Sequence, residues 1–155
     1  MHKTLADELR LVKAVKSDYR FIYKIVRDWM ERTDHSVTVL KMPPFAKFFK
    51  TDASRYIIKK GPTRIGFVHI LANNEVGYYL VPEFQGMGIG TWAVASLMKI
   101  KKRDRYFATI NKKNIASVKL ITKLGFKPKG IIYEKVLTKG RKRKKPNKRQ
   151  IVEAR

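Results

Sequence analysis

The chain contains no cysteine, which removes disulfide frameworks, thiolate metal sites and a cysteine nucleophile at once. It has no apolar run near the ~18 residues needed to span a bilayer, so no membrane-crossing segment is expected. Its first residues, MHKTLADELRLVK, hold no apolar stretch followed by a small-residue cleavage site and do not read as a secretory signal. A cytoplasmic location is the default expectation. Acidic residues are few: 12 Asp+Glu stand against 36 Lys+Arg, for a formal charge of +24. Such a field draws polyanions at low salt, whether nucleic acid, ribosomes, anionic membranes or phosphorylated small molecules.

What is present suits a folded chain. At 155 residues, 44% hydrophobic and 11% aromatic, one domain can bury roughly two-thirds of its unfolded surface. Leu9 to Val15 alternates apolar and basic residues, as a strand with one buried face does. Ser17-Asp18 supplies a helix start, and Ile22, Ile25, Val26 and Trp29 recur at helical spacing through Arg32. Pro43-Pro44 starts a short helix that places Phe45, Phe48 and Phe49 on one side. Ser54 to Lys60 and Thr63 to Leu71 read as antiparallel strands joined at Gly61-Pro62, and Asn73-Asn74 turns the chain into a third strand from Val76. Ile89 to Ile100 is a helix, Arg105 to Ile110 a strand, Ile115 to Leu124 a helix stopped by Gly125-Phe126, and Ile131 to Leu137 a final strand. Beyond Thr138 the composition changes: eight of the eleven residues 139–149 are Lys or Arg. Like charge without apolar period is a solvated tail. The expected organisation is a domain over residues 1–138 and a basic tail over 139–155.

The most telling stretch is Val76 to Thr91, V-G-Y-Y-L-V-P-E-F-Q-G-M-G-I-G-T. A strand runs into Pro82, and a loop with three alternating glycines then opens a helix. Small residues at Gly86, Gly88 and Gly90 let backbone N–H groups close on a phosphate, and the helix adds its positive end. A P-loop reading fails because no lysine stands between Gly86 and Thr91. A dinucleotide fingerprint fails on spacing, and Asp104 lies before the strand whose end should carry its ribose-binding acid.

Gln85-Gly86-Met87-Gly88-Ile89-Gly90 resembles the Q/R-x-x-G-x-G/A signature of the GNAT superfamily of acyl-CoA-dependent acetyltransferases. Asn114-Ile115-Ala116-Ser117 and Lys123-Leu124-Gly125-Phe126 resemble that family's N-x-x-S and L-G-F segments. The resemblance runs over about residues 8–138. It implies an α+β, three-layer fold. The central sheet would have six to seven mostly antiparallel strands flanked by about four helices, with a V-shaped splay between the fourth and fifth strands. It further implies acetyl-CoA as co-substrate and no metal. The N–H groups of Gln85, Gly86, Met87, Gly88, Ile89, Gly90 and Thr91 would hold the pyrophosphate. Main chain at Leu80 and Val81 would pair with the pantetheine amides, and Asn114 would contact the same arm.

Acetyl transfer needs a deprotonated amine, a polarised carbonyl and a proton for the departing thiolate. The resemblance implies that main-chain N–H at the splayed strand end, near Tyr79 to Val81, would meet the carbonyl. Many members carry a tyrosine acid four residues before the glycine of L-G-F, where this chain has Ile121. That departure resembles the subgroup acting on ribosomal-protein N-termini, polyamines and amino sugars, and makes Ser117 the candidate acid. Glu75 and Glu134 are the candidate bases, and Tyr133 is a further candidate near the thiol. Glu83 is expected to face solvent, His35 and His69 to be structural or solvated, and Trp29 and Trp92 to be core. The expected activity is therefore N-acetyl transfer to a primary amine of unidentified acceptor, by a monomer or homodimer. The alternative is a nucleic-acid- or ribosome-binding protein on an idle acyltransferase scaffold, using the tail, Lys101-Lys102-Arg103 and Lys112-Lys113.

Overall fold

The computed structural model describes residues 3–34, 36, 38 and 41–137; the basic tail and His35 lie outside them. A turn of helix, α1 (Leu5–Glu8), leads into β1 (Leu9–Lys13), and a 3-10 turn at Lys16–Asp18 leads into α2 (Tyr19–Arg32). The short α3 (Phe45–Phe48) precedes the meander of β2 (Ala53–Lys60), β3 (Thr63–Leu71) and β4 (Val76–Leu80). A 3-10 turn at Pro82–Phe84, then α4 (Ile89–Ile100) and α5 (Ile115–Lys123), complete the order. The four strands form one antiparallel sheet in the order β1-β2-β3-β4.

Period-two alternation sends β2, β3 and β4 side chains to two faces, and each face is covered by helix. On one side Tyr56, Ile58, Ile65, Val68, Ile70, Val76 and Leu80 pack against Ile89, Ala93, Val94 and Leu97 of α4. On the other, Ile57 and Phe67 pack against Ile22, Ile25 and Val26 of α2. Fully buried side chains of this size each contribute about 1.5–3 kcal/mol relative to exposure. The buried Asp18 ties the layers together: it accepts the Val15 N–H (2.9 Å) and the Arg64 Nε–H (2.9 Å), the second from β3.

The register slips by one residue in the β2–β3 ladder, where Lys59 faces Arg64 but Ile58 faces Gly66. Ile65 is the extra residue, and the bulge turns its side chain into the α4 face with Val68. Gly66 is required at the next position, because a Cβ there would lie 2.2 Å from the Tyr79 carbonyl oxygen.

Among the described residues the sheet has four strands, not the six to seven expected. Arg105 to Ile110 forms no ladder among the described residues; it meets the sheet at one parallel bridge, Glu75 with Phe107. Two side chains account for this. Tyr106 fastens the start of the segment to the end of α4, its hydroxyl donating to the Lys101 carbonyl (2.7 Å), and Asn111 donates from its amide to the Ser36 carbonyl (2.7 Å). Held at those two points, the segment leaves β4 after Phe107. Ile131 to Leu137 forms no strand either, and Ile131, Ile132, Tyr133, Val136 and Leu137 are exposed. A strand needs a paired neighbour, and Arg105 to Ile110 offers only a bridge. The stop after α5 is as expected: Gly125 adopts φ +87°, and the Gly125 and Phe126 N–H groups donate back to Thr122 (3.0 Å) and Ile121 (3.1 Å).

Replacing Gly66 by alanine should lower the urea midpoint by the equivalent of about 3 kcal/mol or more, since the clash is with backbone. Gly125→Ala, which meets only the left-handed penalty, should cost about 1 kcal/mol. Equal midpoints for the two variants would contradict the β3–β4 register.

Candidate functional site

β4 sets the site by the parity of its hydrogen bonds. Val81 donates its N–H to the Ile65 carbonyl (2.9 Å), and Leu71 donates to the Glu75 carbonyl (2.8 Å). With the register continuous between them, the odd-numbered residues of this stretch bond to β3. The even-numbered ones turn their N–H and C=O groups the other way, as the Val76 N–H does toward the Phe107 carbonyl (2.9 Å). Beyond that bridge, the Tyr78 N–H and C=O and the Leu80 N–H have no backbone partner among the described residues. The Leu80 carbonyl accepts from the Gln85 side-chain amide (3.2 Å).

The wedge that opens there is a groove of about 580 Å³. Tyr78 and Leu80 form one wall, Ala108 to Ile110 the other, and the glycine loop and α5 one end. In the loop, Gly86 (φ +74°) and Gly88 (φ +77°) are left-handed, and a Cβ on either would enter open space. Gly90 has a different task. It lies inside α4, where a Cβ would come within 2.8 Å of both Tyr78 and Leu120. It lets the helix start pack directly on the groove wall. The Gln85 N–H is spent on the Pro82 carbonyl (3.2 Å), and the first backbone bond into α4 runs from Trp92 to Gly88 (3.1 Å). Between them, the N–H groups of residues 86–91 have no backbone acceptor among the described residues. Six consecutive donors at the positive end of a twelve-residue helix make an anion site.

α5 contributes Asn114, Ser117, Lys119 and Lys123 to the lining. Asn114 caps its helix, accepting the Ser117 N–H (3.3 Å), and the Ser117 hydroxyl lies 3.4 Å from the Tyr78 hydroxyl. On the α2 side of the sheet the lining is Trp29, His69, Glu75, Gly77 and Tyr79, with Thr38 at its margin. An aromatic ladder holds this end: Trp29 meets Tyr79 edge-on at 5.6 Å, Tyr79 stacks on Phe67 at 5.2 Å, and Phe67 stacks on His69 at 5.8 Å. Burial, reinforced by the negative charge of Glu75, pushes the Tyr79 phenol well above its ordinary value, so it stays protonated. Burial, reinforced by the Arg55 charge, lowers His69 from 6.5 to about 4, so its imidazole is uncharged at neutral pH.

Of the residues expected from sequence, Glu75, Leu80, Gln85, Gly86, Gly88, Ile89, Gly90, Thr91, Asn114 and Ser117 all line the groove. Met87 does not, its side chain being 53% exposed, although its N–H belongs to the loop. Two main-chain roles change. The Val81 and Gln85 N–H groups are engaged within the protein, and the Tyr78 N–H and C=O replace Val81 beside Leu80. Tyr133 is 90% exposed, Glu134 is exposed, and neither lines the groove. Glu83 is exposed and Trp92 packs on the core, whereas Trp29 reaches the groove. His69 was missed. The available signal was the alternation Phe67, His69, Leu71, which puts the imidazole on the face opposite Val68.

A family model described as the acetyltransferase (GNAT) domain matches residues 8–127. No curated protein matches the chain. Among solved structures, the chain is similar to a phosphinothricin acetyltransferase from Sinorhizobium meliloti in complex with acetyl-CoA: 24% identity, TM-score 0.67, covering 79% of this chain and 77% of that one. It is similar to a spermidine N-acetyltransferase from Vibrio cholerae in complex with CoA and spermine: 20% identity, TM-score 0.64, covering 86% and 89%. A ribosomal α-N-protein acetyltransferase in complex with CoA matches at 20% identity and TM-score 0.63, covering 82% and 84%. At these identities the likeness is one of fold.

His69 makes stability depend on pH in a defined window. Between its unfolded value near 6.5 and its folded value of about 4, the unfolded chain binds a proton that the folded chain does not. Stability is therefore full above about pH 6.5 and falls toward pH 4, by on the order of 2–3 kcal/mol. His69→Gln, which cannot titrate, should flatten that limb in melting temperature measured against pH. A limb that survives the substitution would place the imidazole in solvent.

Proposed function

The chain belongs to the GNAT acetyltransferase family, and from that premise we propose that it transfers an acetyl group from acetyl-CoA to a primary amine. The observation that carries this reading is the row of N–H groups at residues 86–91 without a backbone acceptor among the described residues, continuous with a groove bordered by the unpaired Tyr78 N–H and C=O and Leu80 N–H. A pyrophosphate fits the first, and an amide-bearing chain laid like an added strand fits the second. Open space in the Cβ directions of Gly86 and Gly88 leaves room for phosphate oxygens to approach. Lys119 and Lys123, one turn apart on α5 and lining the groove, add positive charge for the remaining phosphate.

Acetyl-CoA, when bound, supplies the thioester whose carbonyl carbon the amine attacks. The Leu80 or Tyr78 N–H meets the carbonyl oxygen as negative charge develops there. Glu75 draws the ammonium into the α2 end of the groove and takes its proton. Ser117, with the Tyr78 hydroxyl beside it, passes to the departing thiolate the proton that the attacking nitrogen sheds as the amide forms. Tyr133 and Glu134, exposed and off the groove, take no part.

The charge of +24 supports a second, compatible activity. Lys102, Arg103, Lys112 and Lys113 are exposed around the α4–α5 connection, and with the basic tail they favour salt-sensitive association with nucleic acid or ribosome.

Acetyl-CoA titrated into the protein should bind saturably and raise the melting temperature, by about 2.7 kcal/mol of stabilisation at a hundredfold excess over the dissociation constant. Gly88→Val, which strains a left-handed position and fills the loop mouth, should abolish the shift. No saturable binding by the unsubstituted protein would leave the idle-scaffold reading in its place.

A further inference from the structure

The α2 end of the groove contains a group that acetyl transfer itself does not require. His69 faces Gly77 across the β3–β4 ladder, and its ring lies over that glycine so closely that a Cβ there would be 2.8 Å from Cε1 and Nε2. The ring is fixed on its other side by the Phe67 stack at 5.8 Å. His69 lines the groove, no hydrogen bond among the described residues engages either ring nitrogen, and neither nitrogen is fully buried. A histidine held between Gly77 and the Phe67 ring, lining a ligand groove with no hydrogen-bond partner among the described residues, is placed to meet something entering from that side.

Its surroundings define what. Among the described residues, Glu75 is the single carboxylate in the groove lining. The other ionised lining groups, Lys119 and Lys123, belong to α5 on the far face of the sheet. Behind the imidazole stands Arg55, paired with His69 in the β2–β3 register, its guanidinium 5.1 Å over the Phe49 ring. A second cation on the acceptor would therefore find no second carboxylate among the described lining residues. A neutral polar group would meet an imidazole, which offers one N–H donor and one acceptor.

We infer that His69 is a specificity-determining residue for the acceptor: it hydrogen-bonds a neutral polar group, such as an amide or hydroxyl, on the acceptor whose amine Glu75 receives. The inference rests on the transferase reading and deepens it. It assigns the acceptor to amines with one positive charge and a neighbouring hydrogen-bonding group, and separates it from polyamines. The uncharged state of the ring at neutral pH agrees with this, since an imidazolium would repel the ammonium beside it.

The test measures thiol release from acetyl-CoA with three small acceptors: glycinamide, propylamine and spermidine. The unsubstituted protein should use glycinamide with a kcat/KM about tenfold or more above that for propylamine, and should not prefer spermidine. His69→Phe keeps the stacking on Phe67 but has no nitrogen. It should abolish the preference by raising KM for glycinamide about tenfold, leaving propylamine and the KM for acetyl-CoA unchanged. His69→Gln should restore part of it. Gly77→Ala, whose Cβ displaces the ring, should weaken it in the same direction, and supplies the answer if His69→Phe does not fold. A preference that survives both His69→Phe and Gly77→Ala, or a loss shared equally by glycinamide and propylamine, overturns the role given to His69 and leaves acetyl transfer standing. Transfer to no amine by the unsubstituted protein removes the transferase reading, and this inference with it.

Discussion

Everything distinctive about this protein depends on one interrupted ladder. β4 pairs fully with β3, but on its other edge, among the described residues, it meets the chain at Phe107 and then no further. Backbone groups in the middle of a sheet are normally paired, and leaving them unpaired away from water is costly. Here the Tyr78 and Leu80 groups border a groove instead, and the helix that follows turns its own unpaired donors toward the same space. The two sets, one from a strand edge and one from a helix start, converge because Pro82 ends β4 and only a short turn separates them. Tyr106 and Asn111 keep the wedge open by tying the departing segment to α4 and to Ser36.

The three glycines of the loop divide this work between conformation and space. Gly86 and Gly88 allow the left-handed turns that point successive N–H groups one way. Gly90 brings the helix onto Tyr78 and Leu120, which places Ser117 next to the Tyr78 hydroxyl. A substitution at any of the three would harm the site, but for different physical reasons. The same economy appears across the sheet, where Gly77 is bare because the His69 ring occupies the space of its side chain.

Much of this was legible in the sequence because local signals agreed with the tertiary outcome. β3 and α4 begin and end where their periodicity says, and the stop after α5 forms at Gly125 as its residues require. What was not legible depended on pairing at a distance. Arg105 to Ile110 and Ile131 to Leu137 have strand-like composition, but a strand exists only with a partner, and no pattern within either segment reports that the partner is held away. The roles of Val81 and Gln85 were misplaced for a related reason. Composition marks the end of β4, while only the register tells which of its amides already serve β3. His69 reads in the sequence as structural or solvated because a lone histidine carries no motif; its place in the groove comes from Gly77 and Phe67, both brought to it by the fold.

The central claim is that a diphosphate-bearing chain lies along these particular amides. Amide proton–nitrogen correlation spectra recorded while coenzyme A is added test it residue by residue. The account predicts that the signals of residues 86–91, Tyr78 and Leu80 move together and saturate, while those of Gln85 and Val81, whose N–H groups are engaged within the protein, change far less. Saturable shifts confined to the exposed lysines around residues 101–113, with the glycine loop unmoved, would contradict it.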